Sequence, residues 1–370
     1  MHRWQAPQRR DDRGDGAPSA RARLRRHRDA SGPGARVTPE LAAGLTGQPI
    51  LPDAVVALGG GHGLSASLAA LRRVVDDLTA VVTVADNGGS SGRLREEFGV
   101  LPPGDLRMAL AALCGDDEWG QTWAKVLQHR FAGEGEMKGH SLGNLLIVAL
   151  WEQLGEHVDG LDWVGRLLDA RGRVLPMTLA GVDLCAEVIG HDPTQRDARS
   201  TVRGQVQVAT TPGRITSVSL DPATAPACPE AVAAVLAADW IVLGPGSWYS
   251  SVIPHLLVPE LRQALVETDA KILVVLNLGE QKGETDGYAP EDHVAALLEH
   301  APGLRIHTVL ADVASVPDPV ALEGALGTHG AQLVLAEVAV AGSTTQHDPV
   351  RLADAYARIF GGVESFAPWR

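Results

Sequence analysis

The sequence predicts an α/β fold built on a mainly parallel sheet, and two observations carry that prediction. From Ala54 onward, short apolar runs ending in Gly or Asp alternate with longer amphipathic stretches. The first two runs and the helical pattern between them also occupy about 30 residues, the length of one βαβ unit with a right-handed crossover.

The first run is Ala54-Val-Val-Ala-Leu58, and four of the next five residues are glycine. A helix follows over Leu64 to Asp77, with Leu64, Leu68, Leu71 and Val75 three or four apart. The second run, Ala80 to Ala85, ends at Asp86. Residues 88–203 read as a mostly helical insertion, including a helix over Ser141 to Leu154. Gly204 to Thr210 and Thr216 to Leu220 read as a hairpin turning at Thr211-Pro-Gly-Arg214. Further strands are expected at Trp240 to Leu243, Lys271 to Leu276, Arg305 to Leu310 and Gln332 to Val338. Helices are expected at Pro229 to Ala238 and Pro290 to Glu299. Residues 51–365 are thus expected to form one domain.

Composition narrows the function. Of 370 residues, 45% are apolar and 21% charged, as in globular proteins, and no apolar stretch approaches the roughly 20 residues of a membrane span. A cytoplasmic protein without a membrane span is expected. The segment Met1 to Arg36 carries ten Arg against four Asp, a net of +6, which leaves −19 for the remainder of a chain at −13. So acidic a body repels phosphate backbones and argues against nucleic acid as partner. The Arg-rich residues 1–50 hold too little apolar surface to offset ordering entropy, and a disordered tail is expected there. Cys114, Cys185 and Cys228 are far apart and show neither disulfide nor zinc spacing.

Candidate chemistry gathers where strands end. Gly59, Gly60, Gly61, His62 and Gly63 join the first strand to its helix, and Gly61-x-Gly63-x-x-Ala66 fits the dinucleotide-type loop that admits a phosphate to free helix-start N–H groups. Asp86, 25 residues after Gly61, stands where a carboxylate takes ribose hydroxyls. Asn87, Gly88, Gly89, Ser90, Ser91 and Arg93 follow, small, polar and basic as a phosphate or sugar site requires. Asp105 reads as a helix cap. Arg107, a cation at a helix start, wants an anionic partner. His140, at the head of His140-Ser-Leu-Gly-Asn144, is a candidate acid/base beside Asp86 as a candidate catalytic carboxylate. Gly244, Gly246 and Ser247 form a second glycine turn at a helix start, hence a second anion cradle, and Asn277 ends the next strand. The carboxylates of Glu280 to Asp286 could position a sugar or a divalent cation. Any metal is expected to be Mg²⁺ held near Asp86 with ligand phosphates.

These motifs resemble, in order, those of the YvcK/CofD family: Gly59-Gly-Gly-x-Gly63-Leu-Ser, Ala85-Asp-Asn-Gly-Gly-Ser-Ser-Gly-Arg-Leu-Arg95, Pro102-Pro-Gly-Asp-Leu-Arg107, His140-Ser-Leu-Gly-Asn144, Leu175-Pro-Met, Gly244-Pro-Gly-Ser247 and Gly283-Glu-Thr-Asp286. The resemblance runs from about Val55 to Asp348 and is closer to the YvcK branch, the gluconeogenesis factors. It implies a Rossmann-like three-layer α/β/α fold with nucleotides across the carboxyl ends of the strands. It also implies binding of UDP-sugars, UDP-N-acetylglucosamine above all, with a role in cell shape and with cell-wall synthesis proteins as partners. The CofD branch implies instead a Mg²⁺-assisted transfer of 2-phospho-L-lactate to a deazaflavin. Gly60 to Gly63, Asp86, Ser90, Ser91, Asn144, Gly246 and Ser247 are the positions it marks. The chain departs from the family with His62 for Thr, Asn87 for Asp, and Gln346-His347-Asp348 where some relatives carry Arg-His before an acid. The loss of one adjacent carboxylate favours a binder over a metal-assisted transferase. A third reading, an NAD-dependent dehydrogenase, rests on the glycine loop and Asp86 alone. A homodimer is expected for a fold of this size.

Overall fold

A run of five apolar residues between polar neighbours can be buried on both faces, and Ala54–Gly59 (β1) is. In the computed structural model, which describes residues 51–362 except 193 and 196, β1 has a parallel neighbour on each side, Asp77–Val82 (β2) and Trp240–Leu243 (β7). Beyond β2 lies Arg173–Pro176 (β3). Beyond β7 follow Lys271–Val275 (β8), Ile306–Asp312 (β9) and Gln332–Ala336 (β10). The seven strands run β10-β9-β8-β7-β1-β2-β3, every pair parallel. The expectation of disorder for residues 1–50 lies outside the described residues.

Right-handed crossovers leaving β1 toward β2 and β7 toward β8 travel in opposite directions, so their helices fall on opposite faces. On one face Gly61–Leu71 (α1) packs on Gly104–Ala112 (α3) and on the final helix Pro349–Phe360 (α13). Buried Ser67 and Tyr356 hydrogen-bond there at 2.8 Å. On the other face Pro229–Ala237 (α8) packs on Pro259–Glu267 (α10). Leu58, Leu64, Leu68, Leu71, Leu78 and Leu106 are almost wholly excluded from solvent and belong to the core.

Residues 88–203 contain five helices: Gly89–Phe98 (α2), α3, Glu118–Gln128 (α4), Leu142–Leu154 (α5) and His157–Leu168 (α6). They also contain three strands the sequence reading passed over. β3 is only four residues long. Asp183–Ile189 (β4) buries Leu184, Ala186 and Val188 and leaves the residues between them partly exposed. It pairs antiparallel with Arg199–Arg203 (β5) and Arg214–Asp221 (β6) in a separate three-stranded sheet. The expected hairpin is corrected accordingly. Gly204 to Thr210 alternates like a strand, yet β6 takes β4 as its partner, and Gln205–Ala209 (α7) forms a helical turn instead. Its start is fixed by Asn87, whose Oδ1 accepts the Val206 N–H at 3.1 Å. β2 likewise ends at Val82, so Asp86 lies in the following loop rather than at the strand's last position.

Among the described residues, no helix is long and apolar enough to cross a membrane.

The chain after β10 is tied back to the sheet by one carboxylate. Asp312, 5% exposed, accepts the N–H groups of Ala314 (2.8 Å), Val338 (2.8 Å) and Ala339 (3.0 Å). Asp312→Ala would strand these donors, and a loss of about 2–4 kcal/mol is expected in urea unfolding.

Candidate functional site

The order of strands reverses between β1 and β7, and a crevice opens at their carboxyl ends, where open α/β sheets place ligands. Its walls are the two glycine loops that the sequence singled out. A Cβ on Gly63 would stand 2.3 Å from the Pro245 carbonyl oxygen and 2.6 Å from the Gly246 Cα, so only glycine lets these backbones meet. The crevice measures about 380 Å³ and is lined by Gly60 to Gly63, Pro245 to Ser247, Ser251, Asn277 to Gln281, Thr344, Thr345 and His347. Among these residues there is no lysine or arginine. A cavity of equal volume lies between α6 and the start of β3, away from every strand's carboxyl end, and its Arg173 is locked to Asp162 by two hydrogen bonds.

Gly61 begins α1 with φ of 57°, a left-handed conformation suited to glycine. Its N–H is taken by the carboxylate of Asp105. Asp105 lies in the first turn of α3, whose cap is Pro103, and it does not cap its own helix as expected. Burial, and secondly the charge of Asp86, push its pKa up to about 7 against the pull of Gly61 and Arg107. Asp86 Oδ1 accepts the Gly88 N–H at 2.8 Å, while its other oxygen faces Gly104 beside Ser91.

The second loop is already filled from within. Residues Trp248–Val252 form a π-helical turn. At its start the Glu284 carboxylate accepts the N–H groups of Tyr249 (2.7 Å) and Ser250 (3.2 Å) and the Ser250 hydroxyl (2.5 Å). Gln281 Oε1 accepts the Trp248 N–H at 3.0 Å. Asn277 clamps Gly246 at both backbone atoms, accepting its N–H at 3.0 Å and donating to its carbonyl at 2.9 Å. The expected second anion cradle is therefore corrected: protein groups occupy four of its backbone N–H groups, and Ser247, with its hydroxyl, is what it leaves to line the crevice.

Other candidates serve one another. The buried Ser90 hydroxyl lies 3.1 Å from His140 Nδ1, accepts the Ser141 N–H at 3.3 Å, and accepts from Asn144 Nδ2 at 3.1 Å. Asn144 also donates to Ser91 at 3.5 Å, and its Oδ1 is buried without a partner. Burial, with Arg93 next, keeps His140 below the usual histidine range and hence neutral at pH 7. Arg93 donates to the carbonyls of Glu136 and Lys138 at 3.2 and 2.8 Å, outside the crevice. Arg107 is buried against Gly143 and donates to Gln128, its pKa lowered to about 10 by burial. Asn87 ties the Asp86 loop to α7, donating to Gln207 at 2.9 Å. Gly89 starts α2 with φ of 52° and Gly244 leaves β7 with φ of 76°. The structure thus brings Gly60, Gly61, Asp86, Ser91 and Asp105 together. It turns Arg93, Arg107 and Asn87 to structural partners.

Comparison with known proteins gives the family. A family model described as 2-phospho-L-lactate transferase CofD matches residues 55–340. The chain belongs to the CofD/YvcK family. The protein named "Putative gluconeogenesis factor" in Mycobacterium tuberculosis (strain ATCC 25618 / H37Rv) is 50% identical over 306 residues, 82% of this chain and 89% of its own. The gluconeogenesis factor of Bacillus subtilis (strain 168) is 38% identical over 266 residues, 72% and 80% of the two chains. A crystal structure of a UPF0052 family protein from Bacillus halodurans superposes with a TM-score of 0.72 at 31% identity, covering 83% of this chain and 99% of that one.

In this CofD/YvcK chain the sequence reading missed Thr83, Gln281, Thr344 and Thr345. The Thr83 hydroxyl is buried without a partner, and the methyl of the same residue lies against Gly60. Gln281 follows Asn277 by four residues, and a second amide so soon after a strand end was the available signal. Gly342-Ser-Thr-Thr345, a small polar loop beyond a strand, was the signal for the two threonines. Among the described residues no three His, Cys, Asp or Glu side chains gather as metal ligands. Asp86 and Asp105 would supply the one or two carboxylates that Mg²⁺ takes beside substrate phosphates, and a cation would relieve the repulsion by which Asp86 raises the pKa of Asp105.

Two outcomes are expected. Gly63→Ala forces backbones apart and should cost about 1–3 kcal/mol or more in thermal unfolding, with loss of whatever the crevice binds. Asp105 holds its proton in the folded state from the unfolded carboxylate value near 4 up to about 7. Stability therefore falls as pH rises through that window and is level above it. Asp105→Asn should flatten this slope and raise Tm at pH 8 relative to the parent, measured by melting at several pH values.

Proposed function

We propose that this chain is a gluconeogenesis factor of the YvcK kind: a cytoplasmic protein that binds a nucleotide sugar, UDP-N-acetylglucosamine foremost, and reports its supply to the cell-wall synthesis machinery that sets cell shape. The observation that carries the reading is the crevice at the reversal of strand order, bounded by two glycine loops in backbone contact. Its His62 and Gly63 N–H groups at the start of α1 suit a diphosphate. The hydroxyls of Ser247, Thr344 and Thr345 and the amide of Gln281 suit a neutral sugar. The 50% identity to the mycobacterial relative supports the assignment to this branch.

The lining offers no fixed cation and includes Glu280. A diphosphate bound there gains from a counter-ion, and Mg²⁺ held by Asp86 and Asp105 would supply it. The same acid pair favours the second reading, a CofD-type transfer of 2-phospho-L-lactate to a deazaflavin, in which Mg²⁺ polarises the phosphoryl group.

Calorimetric titration with UDP-N-acetylglucosamine, UMP and NAD, each with and without Mg²⁺, separates the readings. The expected result is selective binding of the UDP-sugar, tightened by Mg²⁺ and without product. At about 100 times the dissociation constant the ligand should stabilise the fold by about 2.7 kcal/mol. No UDP-sugar binding, with turnover of a deazaflavin acceptor, would give the transferase reading its place.

A further inference from the structure

An open sheet ends in strands with one unpaired edge, and such an edge invites another strand unless charge, proline or shortness blunts it. Among the described residues the two sheets end in four such strands, β3 and β10 in the large sheet and β5 and β6 in the small one. β3 is four residues long, begins with Arg173 and ends with Pro176. β5 carries Arg199 and Arg203 at its ends, and β6 carries Arg214 and Asp221. β10 has none of these devices: its sequence, Gln332-Leu-Val-Leu-Ala336, holds no charge, no proline and no glycine.

Its surroundings leave it uncovered. In each of the other six strands of the large sheet most residues are buried, whereas every residue of β10 is partly or fully exposed. Pro319–Gly327 (α12) packs on it and on Pro290–His300 (α11). Beyond the ladder with β9, no hydrogen bond among the described residues reaches the backbone of Gln332 to Ala336. Alternate residues of a strand turn their N–H and C=O groups to opposite sides, so the outward set is left for water or a partner. Alongside, a groove of about 790 Å³ runs past the starts of β7 to β10, with Trp240, Leu333, Val334 and Ile359 in its lining.

We propose that a second copy of this chain pairs with β10, antiparallel about a two-fold axis at Val334, and joins the two seven-stranded sheets into one. That pairing sets Val334 opposite its own counterpart and Leu333 opposite the partner subunit's Leu335, so apolar side chains meet across the seam. Charge favours the same occupant. Outside Met1 to Arg36 the chain carries −19, so two copies repel each other except where neither brings a charge, and this strand is such a surface. A five-residue edge, roughly 17 Å long, falls short of the contact a stable dimer needs, about 800 Å² on each partner. The groove beside it offers the additional surface.

The test is sedimentation of the full chain over a dilution series, with residue-resolved hydrogen exchange on the same samples. A dimer at twice the 38.9 kDa of the chain is expected. Within it the consecutive amides of Leu333 to Leu335 should all be protected, because both sides of the strand are bonded, whereas an open edge protects alternate amides only. Val334→Lys and Val334→Glu each set like charges face to face across the axis, and each alone should be a monomer. Mixed in equal amounts, they should recover a dimer containing one of each, which also shows both to be folded. Where a variant fails to fold, the exchange pattern of the parent decides alone. A monomeric parent, a dimer that both variants keep, or protection of alternate β10 amides only would overturn the proposal.

Discussion

The site depends on two backbones touching. Gly63 approaches Pro245 and Gly246 so closely that no side chain fits between them, and this contact brings the loops after β1 and β7 into one wall. Adjacent strands with oppositely directed crossovers make such a meeting possible, and glycine makes it close. Backbone contact alone fixes no orientation, however. Side chains from elsewhere do that: Asp105 from α3 holds Gly61, Asn277 from the end of β8 holds Gly246, and Gln281 and Glu284 hold the π-helical turn. The ligand-facing surface is thus set by residues that lie behind it.

Acidic groups flank the crevice. Outside its lining, on the β2 side, two carboxylates, Asp86 and Asp105, stand close enough for one to raise the other's pKa. On the β8 side the polar groups are amides, hydroxyls and the Glu280 carboxylate, and the Glu284 carboxylate behind them is consumed by hydrogen bonds. The arginines that sequence reading offered as phosphate contacts are absent from the crevice because each has a better local use. Arg93 anchors the loop around Lys138, and Arg107 fills the space that Gly143 leaves open.

Legibility in the sequence followed burial. β1, β7 and β8 are enclosed on both faces, so their residues form continuous apolar runs, and each was placed nearly to the residue. β4 and β5 belong to a small sheet wetted on one side, and the charged residues in them disguised the strands. The α7 segment failed for a different reason. Its alternation of Val206 and Val208 is that of a strand, and only the long-range hold of Asn87 makes it a turn of helix. Site residues on glycine loops were legible because glycine clusters have few other uses. Thr83 and Gln281 were not, since a lone polar residue near a strand end looks the same in sequence whether it is paired or left open.

The carboxylate of Glu284 sits where a bound anion would otherwise organise the second loop. The protein thereby carries its own permanent stand-in for a ligand on that side. The conformational entropy of ordering the turn is settled during folding, and nothing remains to be ordered there when a ligand arrives. On the facing wall the loop of Thr344 and Thr345 is organised in the same way, by the Ser343 hydroxyl accepting the N–H groups of Thr345 and Gln346, so both walls of the crevice are set before anything enters it.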